Sequence, residues 1–282
     1  MASRGAPKSG EPPRAVVLGT VYSPMPPGGL FDTSSSSDEQ ARSRHRLRVH
    51  LHSRGWFTYR KNFPPLGPAR LTSDSGWGCM LRAGQMMLCE ALFRVFLGDK
   101  WGLAENEALP DSFMTYKTIL SWFQDAKISS APYSLHNMAE IGQALKTPIG
   151  EWHGPSSLAH ILAALVNKHS PRDIGCVVGS DGTLYASDIK FSFAGGSSSV
   201  IILLPLRLGI ELNPAYIPIL QAMLALPQTI GFAGGKPGSP LATMLGAGLG
   251  VKRLVRHFWY LWSRTDAFLI IARSSGDAFC WR

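Results

Sequence analysis

The chain is short of cysteine, of acidic residues and of long apolar runs, and each shortage narrows what it can be. Its 282 residues include four cysteines, at positions 79, 89, 176 and 280, with no metal-ligand pairing. That excludes a disulfide framework and a cysteine-rich metal module, and it suits a reducing cytoplasm. The apolar stretch near the C-terminus is interrupted by Lys252, Arg253, Arg256 and Arg264. A spanning helix needs a run of about 18 apolar residues, so none is expected. Nothing at the N-terminus resembles a signal peptide. No internal repeat, phosphate-binding glycine loop or metal-spaced cluster of His and acids stands out, so neither metal nor cofactor is expected. Acidic residues number 19 against 28 Lys and Arg, for a net charge of +9. Such a surface attracts acidic proteins, membranes or nucleic acid alike. No base-stacking pattern accompanies it, and nucleic acid is not the expected partner.

With 45% hydrophobic residues the chain can bury a full core. Residues 1–45 are rich in Pro, Gly, Ser and Arg, a composition that buries too little apolar surface to order itself, and read as a mobile tail. The arginine-dense segment Arg42 to Arg54 reads as a solvated face leading into a first helix. Met80 to Leu97 carries apolar residues along one helical side, among them Leu81, Gly84, Met87, Leu88, Ala91, Leu92 and Val95. Further helices are expected over 111–125, over 134–145 with Ser134 as N-cap, from Pro155 through Val166, and over 214–226. The apolar or β-branched runs at 175–179, 200–206 and 229–233 read as buried strands. Helices first and strands later predict an α+β architecture.

The segment Thr72-Ser-Asp-Ser-Gly-Trp-Gly-Cys79-Met-Leu-Arg places a cysteine at a glycine-rich turn where the helical pattern begins. The unpaired N–H groups and positive dipole end of a helix stabilise a thiolate, the form that attacks a carbonyl. Cys79 is therefore the candidate nucleophile. Cys89, ten residues on and inside the helix, reads as packing.

Three further blocks extend this motif: Trp56-Phe-Thr-Tyr59-Arg-Lys-Asn-Phe-Pro-Pro-Leu, Ile149-Gly-Glu-Trp152-His-Gly-Pro155, and Ile230-Gly-Phe-Ala-Gly-Gly-Lys-Pro237. Together with Val200 to Gly209 they resemble the autophagin family of papain-like cysteine proteases, most closely its C and D paralogues, over about two thirds of the chain. The resemblance implies a papain-like α+β fold. It also implies cleavage after a C-terminal glycine of ubiquitin-like autophagy modifiers of the GABARAP class, both in precursors and in phosphatidylethanolamine conjugates. Cys79 then takes the role of nucleophile and Tyr59 that of oxyanion donor. Trp152 covers the substrate cleft, beside Gly78. Asp188 is assigned no catalytic part.

After Pro237 the family pattern breaks off. The Tyr-Phe-Ile-Gly-Tyr-like strand and the Asp-Pro-His motif, which supply the general base and the group that orients it, do not follow. The chain instead continues with Gly238 to Gly250 and a basic aromatic segment, as a shifted reading frame or alternative splice would produce. The expected domains are thus a tail over 1–45, a papain-like protease domain over 46–237 and a divergent tail over 238–282. The histidines after Cys79 are His136, His153, His160, His169 and His257, and none sits in an Asp-Pro-His context. His257, with Asp266 nearby, is the one late candidate for a base. Weak or absent turnover is expected, with a non-catalytic modifier-binding chain as the alternative. Val251 to Arg264 mixes basic residues with four aromatics, which suits a peripheral membrane contact or a tail that packs poorly.

Overall fold

A computed structural model describes residues 15–17, 20–24, 37–98, 101, 110–180, 182–207, 214–224, 226, 228–235, 247–248 and 266–274. The chain opens with two short strands, β1 (Ala15–Val17) and β2 (Thr20–Tyr22), and the helix α1 (Asp38–His52). Residues 38–45, assigned by composition to the tail, are the first turns of α1. A local device starts it: the Ser37 hydroxyl accepts from Gln40 N, and the Gln40 side chain accepts from Ser37 N. Ser43 and Leu47 are its buried residues, while Arg42, Arg46 and Arg48 face solvent.

A hairpin of β3 (Lys61–Leu66) and β4 (Leu71–Ser73) follows, then a turn into α2 (Cys79–Leu97). Next come α3 (Pro110–Ser121), α4 (Leu135–Ala144) and α5 (Pro155–His169). The starts of the last two agree with the sequence, because Ser134 Oγ accepts from Asn137 N and Pro155 opens α5 at its first turn. The second half alternates strand and helix: β5 (Ile174–Val178), α6 (Ala186–Ala194), β6 (Ser199–Arg207), α7 (Ile217–Leu224) and β7 (Thr229–Gly235). Residues 247–248 form β8 and Asp266–Ser274 form β9.

The main sheet has the order β5-β6-β9-β7, with β5 and β6 parallel and β9 antiparallel to both of its neighbours. Both faces of β5 and β6 are covered, which is why their sequences are nearly continuous apolar runs. Ile174, Cys176, Ile201 and Leu203 join the main core with α2 and α5, while Val200 and Ile202 meet Ile189 of α6 on the other face. The central strand β9 comes from the segment beyond the family-like blocks, and it pairs along the whole of β6, from Ser199↔Ser274 to Arg207↔Asp266.

α2 is the hub of the molecule. The sequence marks one apolar side, but the helix is enclosed on nearly every side, with 14 of its residues buried, including Arg82, Gln85 and Glu90. It packs against α3, α4, α5 and β7. Its approach to α5 depends on Gly84, where a Cβ would lie 2.6 Å from Leu158 Cδ1. The polar groups so buried are paired: Arg54 bridges Glu90 at 2.9 Å, and Arg82 is held by two carboxylates.

Candidate active site

Cys79 is the first residue of α2 and is 7% exposed. The first bond of the helix is donated by Arg82 N to Gly78 O, so helix geometry leaves the Cys79 N–H without an intrahelical acceptor. The turn before it is built from Asp74. Its carbonyl accepts from Trp77 N and Gly78 N, and Trp77 Nε1 donates to Ser73 O. Gly76 has φ +88°, the left-handed region where glycine is unstrained. Gly78 lies directly on the Asp74 side chain: a Cβ there would be 2.6 Å from Asp74 Cβ and Oδ2. Glycine at 78 is thus required by a close approach, one residue before the thiol.

Tyr59 stands just before β3, 37% exposed, with its hydroxyl near enough to the Cys79 thiol for each to perturb the other. Burial, the Cys79 side chain and the Asp74 charge push the phenol up to about 12. It therefore stays protonated and able to donate throughout the physiological range. Two sequence-expected residues, twenty positions apart, are brought close together.

Beneath them lies a buried ion network that sequence reasoning missed. Asp74, fully buried, accepts from Arg60 N and from Arg82 Nε, both at 2.7 Å. Arg82 Nη1 donates to Asp125 Oδ1 at 2.8 Å and to Gln85 Oε1 at 3.0 Å. Arg60 reaches Asp125 from the outside at 3.0 Å, and Gln85 Nε2 donates to Tyr133 O. The available signal was Arg82 itself, a charge set among Met80, Leu81 and Ala83 where the helix has no solvent face.

Trp152 precedes α5, packs against the core and has a buried indole N–H with no hydrogen-bond partner among the described residues. Its neighbour His153 is fully buried against Gly142, where a Cβ would lie 2.2 Å from His153 Nε2. Burial pushes this imidazole down to about 4, opposed in part by the nearby Glu151 backbone, and neither ring nitrogen makes a well-formed hydrogen bond.

None of the described histidines is hydrogen-bonded to Cys79. His136 Nε2 bonds Pro64 O at 2.7 Å and His169 Nδ1 bonds the Tyr133 hydroxyl at 2.9 Å. His160 is exposed on α5. His257, like Cys280 and Val251 to Arg264, lies outside the described residues. Asp188, in the first turn of α6, accepts only from neighbouring Ser187 among the described bonds. Burial pushes the Cys89 and Cys176 thiols well up and keeps both protonated. Among the described residues no group of His, Cys, Asp and Glu is placed to hold a metal ion, and no helix is long and apolar enough to cross a membrane.

A helix-initial thiol close to a phenol hydroxyl, on a central helix backed by a mixed sheet, defines a papain-like thiol-hydrolase architecture of the α+β class. Comparison with known proteins agrees: residues 44–244 match the peptidase C54 catalytic domain, and the chain belongs to that family of autophagy cysteine proteases. It is 35% identical over 220 residues to cysteine protease ATG4A of Xenopus laevis, covering 68% of this chain and 54% of that protein. It is 34% identical over 230 residues to cysteine protease ATG4B of Gallus gallus, covering 70% and 57%. With cysteine protease ATG4A of Homo sapiens the identity is 32% over 225 residues, covering 69% and 55%. The chain thus spans a little over half the length of the curated relatives it matches.

Proposed function

We propose that the chain is a thiol endopeptidase of the autophagy system that acts on ubiquitin-like modifiers of the GABARAP class, processing precursors and releasing phosphatidylethanolamine conjugates. The observation that carries this reading is Cys79 at the start of α2 with the Tyr59 hydroxyl close to it. In this reading the Cys79 sulfur adds to the carbonyl carbon of the scissile bond. The carbonyl electron pair moves to oxygen, where Tyr59 O–H and the Cys79 N–H donate; such donors are each worth about 3 kcal/mol. Gly78 keeps the approach to the thiol open, and Trp152 borders the substrate's C-terminal strand. The working compartment is the cytoplasm, with a peripheral contact to the membrane that carries the conjugates. Residues 46–237 form the body of the protease domain in this reading, and the flanking segments 1–45 and 238–282 add the start of α1 and the strand β9 to it.

A second reading is favoured by the histidine positions. With no described histidine bonded to Cys79 and no Asp-Pro-His sequence, proton transfer lacks its usual agent, and turnover is weak or absent. The chain then binds the modifier without cutting it. Both readings meet in one experiment: cleavage of a C-terminally tagged GABARAP-class precursor by the whole chain, beside Cys79→Ala. Cleavage lost with Cys79 supports the endopeptidase, and binding without cleavage supports the modifier-binding form. Neither binding nor cleavage refutes both.

A further inference from the structure

We infer that Asp74 is the positioning residue of this site: it sets Tyr59 against Cys79 by tying the strand that carries the phenol to the turn that carries the thiol. The inference rests on the thiol-hydrolase reading of Cys79 and Tyr59. Asp74 is the only one of these three with no solvent exposure, and all its polar groups are committed.

The β3–β4 ladder has a pair at Lys61↔Ser73, and the next pair outward would be Arg60 with Asp74. Asp74 N does donate to Arg60 O, at 3.3 Å, as in a ladder. Its carbonyl, however, has turned away to accept from Trp77 N and Gly78 N, which forms the turn into α2. The side chain supplies the missing acceptor: Oδ1 takes Arg60 N at 2.7 Å. One residue therefore holds the backbone beside Tyr59 through two bonds and the backbone beside Cys79 through two more. Its second carboxylate oxygen takes Arg82 Nε from the first turn of α2, so the helix axis is fixed to the same group. Gly78 rests on this side chain with no room for a Cβ, and the three parts have little freedom to move independently.

Alanine at 74 removes both carboxylate bonds. Asparagine can keep the bond from Arg60 N but presents an N–H to Arg82. In either variant the Tyr59 hydroxyl should drift from the oxyanion position while Cys79 remains on its helix.

The test uses the whole chain and a GABARAP-class modifier whose C-terminal glycine carries an aldehyde. The Cys79 sulfur adds to the aldehyde carbon, the carbonyl pair moves to oxygen, and the thiol proton ends on that oxygen. No leaving group departs, so no base is needed to hand a proton to one. Dissociation constants are measured for wild type, Tyr59→Phe, Asp74→Asn, Asp74→Ala and the Tyr59→Phe pairings with each Asp74 variant. The adduct carries a neutral hydroxyl, so in the wild-type background Tyr59→Phe should weaken it about fivefold, the worth of one neutral hydrogen bond. With Asp74→Ala that factor should fall to within about twofold of unity, and with Asp74→Asn it should lie between. The rate of Cys79 alkylation by iodoacetamide, which places no oxygen at that position, should stay within about twofold of wild type in the two single Asp74 variants. If Asp74→Ala does not fold, the Asp74→Asn pair decides.

An undiminished Tyr59→Phe factor in the Asp74 backgrounds overturns the inference, and so does an alkylation rate that falls in step with aldehyde binding. A wild-type chain that forms no Cys79 adduct, or one indifferent to Tyr59→Phe, overturns the thiol-hydrolase reading and this inference together.

Discussion

Acid should destabilise this fold through one buried imidazole, and the size of the effect can be worked out from its surroundings. His153 is fully buried, and burial brings it from 6.5 down to about 4. Because the folded value is depressed, the unfolded chain takes up a proton below about 6.5 that the folded chain refuses until about 4. The stability associated with His153 is therefore complete above 6.5 and lost as pH falls toward 4. An interval of roughly 2.5 pH units at about 1.4 kcal/mol per unit is on the order of 3 kcal/mol. Near pH 5 it gives a slope of about 1.2 kcal/mol per pH unit. Other groups add to the acid limb, notably His50, which burial and the Arg54 and Arg94 charges also bring to about 4. The informative quantity is the difference between wild type and His153→Leu. Urea unfolding of both at half-unit steps from pH 7 to 4 should show a shallower loss in the variant by about that slope. Parallel curves would mean that His153 is already charged or solvated in the native protein, and the reasoning from its burial would fail. An offset at neutral pH does not bear on the test, since leucine also removes two buried nitrogens that lack partners.

Removing the central cation of the buried network should be severe: Arg82→Met leaves Asp74 buried without a cation and Asp125 with Arg60 alone, a loss of about 3–5 kcal/mol measurable as a lower denaturant midpoint. Gly84→Ala forces a methyl to 2.6 Å from Leu158 Cδ1 and should lower stability by about 1–3 kcal/mol, with partial recovery in the double variant Gly84→Ala, Leu158→Ala. An unchanged Tm for Gly84→Ala would show that α2 and α5 are not in close contact there.

Much of the first half was legible. α2, α4 and α5 begin within a residue of their sequence-expected starts, because each is marked by a local signal: a glycine turn, a serine cap, a proline at the first turn. β5, β6 and β7 were visible as apolar runs between turn residues. α1 began earlier than composition suggested, since averaging over a Ser-rich stretch hid the Ser37–Gln40 cap. α6 escaped notice, its residues showing only Ile189 buried. β9 lies in a segment without family-like sequence, and its place inside the sheet follows from pairing to β6, a non-local relation that no window of sequence contains.

The amino-acid sequence by itself determined the family, the α+β class and the candidate thiol, because a reactive cysteine at a helix start is announced by its immediate neighbours. The tertiary structure alone decided that Tyr59 comes close to Cys79, that Asp74 joins their two segments, and that Arg82 and His153 are enclosed. Those facts depend on which segments fold back on one another, and a charge or imidazole changes its chemistry only once neighbours from elsewhere in the chain have displaced its water.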